Sequence, residues 1–439
     1  MKSIGWFGIV RLGLVQAAIG SMVVLTTSTL NRVMVVELAL PALLPGLLVA
    51  LHYMVQLLRP RMGFGSDLGG RRTPWILGGL AVLAVGAVGA AFATAWMSSS
   101  RGAGLALAVL SFLLIGVGVS ASGTSLLVLL AKRVDEGRRA PAATIVWMMM
   151  IVGFAVTAGV AGKLLDPYSP ARLVGVMAAV CTVAMLLAAA ALRGLEGEGA
   201  SAPPAREERV PFKAALAQVW AEPEARRFTI FIFVSMLAFS AQDLILEPFA
   251  GTVFGFTPGE STSLSGLQHG GVLVGMIAVA VAGSGRLRHR LGSLRAWTVG
   301  GCIASAFALA GLVAGAAIGP AWPLKATVFA LGAANGAFSI AAIGSMMRLA
   351  GQGRERREGV RMGLWGAAQA VAFGIGGVVG TGASDIAHRL LGDPSAAYAT
   401  VFGLEALLFV AAALLASRIE APAPAAPHAV LPPMAAETR

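Results

Sequence analysis

Apolar residues fill this chain in long unbroken runs, and polar residues collect in the short stretches between them. Runs at 12–36, 42–58, 74–97, 103–131, 141–163, 172–193, 227–250, 264–284, 295–317, 321–348, 360–382 and 396–417 predict twelve helices. Most supply the roughly 20 apolar residues that a helix needs to cross a bilayer. The runs are continuous rather than alternating, which excludes a membrane β-barrel. The second run is the shortest, and polar residues blur the start of the eighth. The first run is full-length and has no small-residue cleavage site after it, so it predicts a retained helix rather than a signal peptide.

The polar stretches set the orientation. Of the 33 Lys and Arg, only Arg32, Arg101, Lys163, Arg172, Lys325 and Arg389 fall in helix interiors or on the side opposite the N-terminus. Basic loops stay in the cytoplasm, so both termini are expected there, in a bacterial inner membrane. Residues 194–225 form the one long hydrophilic insert, with a short amphipathic helix expected around Phe212–Trp220. The Ala- and Pro-rich tail predicts disorder. The expected organisation is a six-helix bundle at 1–193, a cytoplasmic linker at 194–225, a second six-helix bundle at 226–418 and a tail at 419–439.

Composition agrees. The chain is 57% apolar and 12% charged, with a mean hydropathy of +0.80, whereas soluble domains are about 25% charged. A net charge of +12 would suggest nucleic acid in a soluble protein. Here the charge marks topology, so the bilayer is the expected partner and nucleic acid is not. Cys181 and Cys302 each lie alone in an apolar run, without metal spacing. There is no GxSxG, HExxH, CxxC or P-loop string, so neither catalysis, a free metal nor a nucleotide is expected.

The two halves repeat one another. Arg138, Arg139, Trp147, Gly159 and Gly162 are echoed by Arg356, Arg357, Trp365, Gly377 and Gly380, each pair 218 positions apart. A second echo follows helices two and eight, where Gly63 and Gly70 align with Gly285 and Gly292, and His289 takes the place of Asp67. Two six-helix bundles repeated in parallel are the major facilitator plan, giving an all-α polytopic membrane protein of twelve helices. The loop at Gly63–Arg72 resembles that superfamily's signature G-x-L-a-D-R-x-G-R-R at Gly63, Asp67, Gly70, Arg71 and Arg72, and departs from it at Gly65 and Leu68. The resemblance implies a latch that closes the cytoplasmic side, with Arg133 as a partner for Asp67; charges that only fix topology are the plainer alternative.

Longer strings narrow the resemblance. TLNRVMVVELALPALLPG (29–46), ALHYMVQLLRPRMGFGSDLGGRRTPWILGG (50–79) and AQDLILEPFAGTVFGF (241–256) resemble the bacteriochlorophyll delivery branch of the major facilitators, the PucC- and LhaA-like proteins. The resemblance spans nearly the whole chain. It implies a non-enzymatic factor that binds bacteriochlorophyll or a precursor and passes it to antenna polypeptides or to bacteriochlorophyll synthase-type enzymes. The compact length and short tail lean towards the paralogue from bacteriochlorophyll-synthesis gene clusters. The alternative is a secondary transporter of a small molecule working by alternating access, with protons as one coupling ion.

Candidate site residues follow from polarity within the runs. Arg32, Glu37, Asp243 and Glu247 lie near the outer ends of the first helix of each half, and intramembrane charge marks function by default. Their depth favours a structural ion-pair network over a transport site. A neutral imidazole suits the magnesium of a tetrapyrrole. His52, with Gln56 one turn on, is the leading pigment ligand, and His269 is second, placed towards the periplasmic half.

Overall fold

The computed structural model describes residues 4–56, 71–196, 212–283, 293–350 and 358–419. Helices dominate them, as a bilayer requires, because a helix satisfies its backbone polar groups within one segment. We number the helices in chain order. The first half contains α1 (Trp6–Glu37), α2 (Leu43–Val55), α3 (Thr73–Trp96), α4 (Arg101–Arg133), α5 (Glu136–Leu165) and α6 (Pro170–Leu192). Within the linker lies a short α7 (Phe212–Ala221). The second half contains α8 (Pro223–Phe254), α9 (Pro258–Ala282), α10 (Leu294–Ile318), α11 (Leu324–Ala350), α12 (Glu358–Leu391) and α13 (Pro394–Ser417).

Among the described residues, eleven helices are long and apolar enough to span a membrane. The twelfth, α2, is an apolar helix of 13 described residues. The chain is an integral membrane protein with two six-helix halves. One apolar core runs through the first half, from Ile4 to Leu195. A second runs through the other, from Phe228 to Ala416. The expected linker helix is present as α7.

Small residues bring backbones together where the driving force is packing rather than burial from water. The closest case is α9 against α11. A methyl group added at Gly275 would stand 2.0 Å from the Ala333 carbonyl, and one at Gly336 would stand 2.0 Å from that of Val272. Across the halves α5 lies on α9 and α12 lies on α2. Met148, Met150, Ile151 and Phe154 of α5 meet Val272 and Met276 of α9 there.

Two helix boundaries differ from the pattern. α9 starts at Pro258, six residues before the expected 264, because Thr257 and Glu260 form a capping box that satisfies two of its free N–H groups. α12 runs to Leu391, nine residues past the expected 382. Its polar last turns are held by other helices, as described below. The echo at 218 positions is also not a register of contacts. Gly159 and Gly162 face α9 of the other half, whereas Gly377 and Gly380 face α8 of their own. Trp365 is buried, while Trp147 is 36% exposed.

Candidate functional site

Six polar residues of α1, Thr26, Thr27, Ser28, Thr29, Asn31 and Arg32, gather in one stretch, and all six are buried. Thr26 and Thr27 bond back to the carbonyls of Val23 and Val24. Such back-bonding competes with regular helical pairing. The helix widens here into two π segments, Leu25–Thr29 and Val33–Glu37, a distortion frequent at functional sites.

The widened turns aim Ser28, Thr29, Asn31 and Arg32 at the second half. The Ser28 hydroxyl donates to the Glu247 carboxylate. The Thr29 and Thr262 hydroxyls meet at 2.9 Å. The Asn31 amide donates to the Leu244 carbonyl. Arg32 donates to Glu37 at 2.5 Å and to the Phe256 carbonyl at 2.6 Å, and its guanidinium lies over Gly251, where there is no side chain to displace it. Above this layer is a cleft of about 670 Å³, lined by Arg32, Glu37, Asp166, Tyr168, Phe256 and Glu260 among others. Tyr168, in the loop after α5, has its phenol pushed up by burial first and by the Glu37 charge second, with Arg32 opposing.

The four predicted charges therefore come together at the junction of the halves. Arg32 and Glu37 form an ion pair, and Glu247 lies within electrostatic reach of Arg32 and Asp243. Gln242, beside Asp243, is fully buried, and neither of its amide atoms has a hydrogen-bond partner among the described residues. The run TTSTLN inside an apolar helix is the sequence signal for Ser28 and Asn31; Gln242 carries no comparable signal.

The two membrane histidines differ. The His52 Nδ1 faces the Val49 carbonyl at 3.3 Å, and Gln56 Nε2 reaches its Nε2 at 2.9 Å. His52 and Gln56 do share a face, but they face each other, so the imidazole's acceptor nitrogen is engaged within its own helix. The His269 Nδ1 donates to the Ser265 carbonyl at 2.8 Å. That bond fixes the tautomer and leaves the lone pair on Nε2. The ring stands edge-on to Phe154 of α5 at 5.0 Å and within electrostatic reach of Asp243. Because α9 starts early, His269 falls at the middle of that helix and not towards its Pro258 end, the end expected to be periplasmic.

Of the latch, Gly63, Asp67 and Gly70 lie outside the described residues, as does His289. Arg71 is exposed and Arg72 is buried. The carboxylate seen at this end is Glu196, which accepts from the backbone N–H of Arg72 and, at 2.9 Å, from that of Thr73. Burial works to raise the pKa of Glu196, but these N–H groups, the Thr73 hydroxyl and the Arg71 charge outweigh it and hold the carboxyl below its usual range. The Arg133 Nε is buried without a partner among the described residues.

Two carboxylates that the pattern does not single out clasp the halves at the end near Arg32. Asp385 of α12 accepts from the Ala42 and Leu43 N–H groups at 2.9 and 2.8 Å, which caps the N-terminus of α2. Asp166, after α5, accepts from the Thr257 hydroxyl at 3.0 Å, at the N-cap of α9. Each half thus offers a carboxylate to the start of a helix in the other.

The family model for PUCC protein matches residues 29–423. The chain belongs to the PucC family. It is 53% identical over 425 residues to the Bacteriochlorophyll synthase 44.5 kDa chain of Rhodobacter capsulatus, covering 95% of this chain and 96% of that one. It is 32% identical to Protein PucC of the same organism, covering 92% and 90%. Among solved structures it resembles the peptide transporter POT with a TM-score of 0.69 at 16% identity, covering 95% of this chain and 97% of that one. It also resembles a bacterial homologue of the lysosomal transporter Spinster, inward-facing and unoccupied, with a TM-score of 0.66 at 15% identity, covering 95% and 98%. At such identities the likeness shows the major facilitator fold alone. The family match begins at Thr29, so within α1 it takes in Thr29, Asn31, Arg32 and Glu37 of the PucC-family interface.

Proposed function

We propose that this PucC-family protein is a non-enzymatic membrane factor that binds bacteriochlorophyll or a precursor and hands it to antenna polypeptides or to pigment-synthesis enzymes. The observation that carries this reading is the end-to-end match to a relative named for bacteriochlorophyll synthase. The junction of the halves supplies the chemistry that favours His269 over His52: a mid-helix imidazole, its tautomer fixed by Ser265, with Nε2 free to approach the magnesium of a tetrapyrrole. The basic loops favour a bacterial inner membrane with both termini cytoplasmic.

The test is purification in mild detergent from a pigment-making host, followed by an absorption spectrum and identification of co-purifying proteins. Bound pigment, with a band lost or shifted in His269→Ala and kept in His52→Ala, is expected. Colourless protein without an antenna or synthase partner would overturn the reading. A second reading, a secondary transporter working by alternating access, is favoured by the resemblance to two transporters. Vesicle uptake that depends on a proton gradient, by protein that carries no pigment, would establish it instead.

A further inference from the structure

The second half holds polar residues that the junction does not use. Glu405 sits at the middle of the 24-residue α13 and is 2% exposed, and both of its carboxyl oxygens are buried without a hydrogen-bond partner among the described residues. In α10 the Ser305 hydroxyl donates to the Asn335 Oδ1 of α11 at 2.8 Å, and the Asn335 Nδ2 is likewise buried and unpartnered.

Register places these groups at one level. Phe338 and Phe409 touch with ring centroids 5.5 Å apart. Asn335 lies one turn before Phe338 and Glu405 one turn before Phe409, on helices that run the same way. The groups therefore stand in the core of the second bundle, near the middle of its helices.

Among the described residues, an ionised carboxylate there has neither a cation nor an N–H donor, the partners that make burial of charge tolerable. The other charged and titratable groups on the helices packed against α13 lie elsewhere. Asp243 and Glu247 of α8 turn towards α1 and α9. Asp385 and His388 of α12 lie by Tyr398, at the start of α13. Arg361 of α12 is bound to Glu222 at the opposite end of the bundle. Arg295 of α10 reaches the Ser417 carbonyl there, and Cys302 of α10 is a buried thiol. The matching position of the first half is Cys181, as far from Pro170 as Glu405 is from Pro394, and it packs in the apolar core.

We propose that Glu405 is a proton-binding site of the second bundle, held as the neutral carboxylic acid at neutral pH with Asn335 as its amide neighbour. Losing the proton places a charge that only entering water can solvate, so proton release and hydration of this core are one event.

Infrared difference spectra of wild-type protein and Glu405→Gln in lipid at neutral pH test this. The expected difference is a single protonated-carboxyl C=O stretch in the wild type, shifting slowly in D2O. A pair of carboxylate stretches in its place would overturn the proposal. If Glu405→Gln does not fold, ¹³C-glutamate-labelled Glu247→Gln protein gives the same reading. A protonated glutamate band persisting at neutral pH supports the site, and complete ionisation refutes it.

Discussion

Replacing Asp385 by Ala should loosen one end of the junction between the halves. The carboxylate accepts two backbone N–H groups at 2.9 and 2.8 Å from the first turn of α2, 342 and 343 residues away in sequence. Losing a helix cap costs about 0.5–2 kcal/mol, and removing a half-exposed charge from the helix dipole adds about 0.3–1 kcal/mol. A loss of about 1–3 kcal/mol would shift the closed-to-open balance roughly 5- to 150-fold. Thr381, one turn before Asp385, is fully buried, and its hydroxyl lies where a Gly46 side chain would stand. A cysteine at position 381 therefore reports opening, since the native Cys181 and Cys302 are buried. The assay is the rate of maleimide labelling of Thr381→Cys in detergent, with and without Asp385→Ala. A faster rate, partly restored by Asp385→Asn, is expected. Equal rates in two well-folded proteins would refute the clasp.

Three further outcomes follow from the packing. Gly275→Ala drives a methyl group into the Ala333 carbonyl, and overpacking of this kind costs about 1–3 kcal/mol, so a lower melting temperature in detergent is expected, with Gly300→Ala, where the space is open, as the neutral control. Glu196→Gln should be less stable than wild type at neutral pH. The folded protein holds this carboxyl below its unfolded value, so the advantage exists above the unfolded value and fades as pH falls through the folded one; thermal melts across that range should converge in acid. Arg361, 2% exposed and bonded to both Glu222 oxygens, should not tolerate Lys, which cannot form the fork; a fall of about 1–3 kcal/mol is expected from thermal unfolding.

What could be read in the chain, and what could not, divides by distance along it. Twelve apolar runs and a charge bias mark the helices because crossing a bilayer is a local demand on each segment. The polar last turns of α12 look like a loop, since nothing nearby in sequence says that Asp385 binds α2 or that the His388 ring meets Tyr398. The α9 start carried a local signal, Thr257 and Glu260, which the apolar run alone passes over. Arg32, Glu37, Asp243 and Glu247 stand out as charges in apolar surroundings, but that Ser28 binds Glu247 depends on how the halves meet. The histidines show the limit most clearly. Spacing pairs His52 with Gln56 and cannot tell that the pair occupies itself.

The contrast between the two faces of α9 has a mechanical consequence. Against α11 it touches backbone to backbone at Gly271, Gly275, Gly332 and Gly336, contacts that no rotamer change can relax, so those two helices must travel as one stiff strut. Against α5 it meets Met148, Met150 and Met276, side chains with three soft torsions each. Any rocking of one half on the other would therefore slip at that greased bearing, with the strut as its lever.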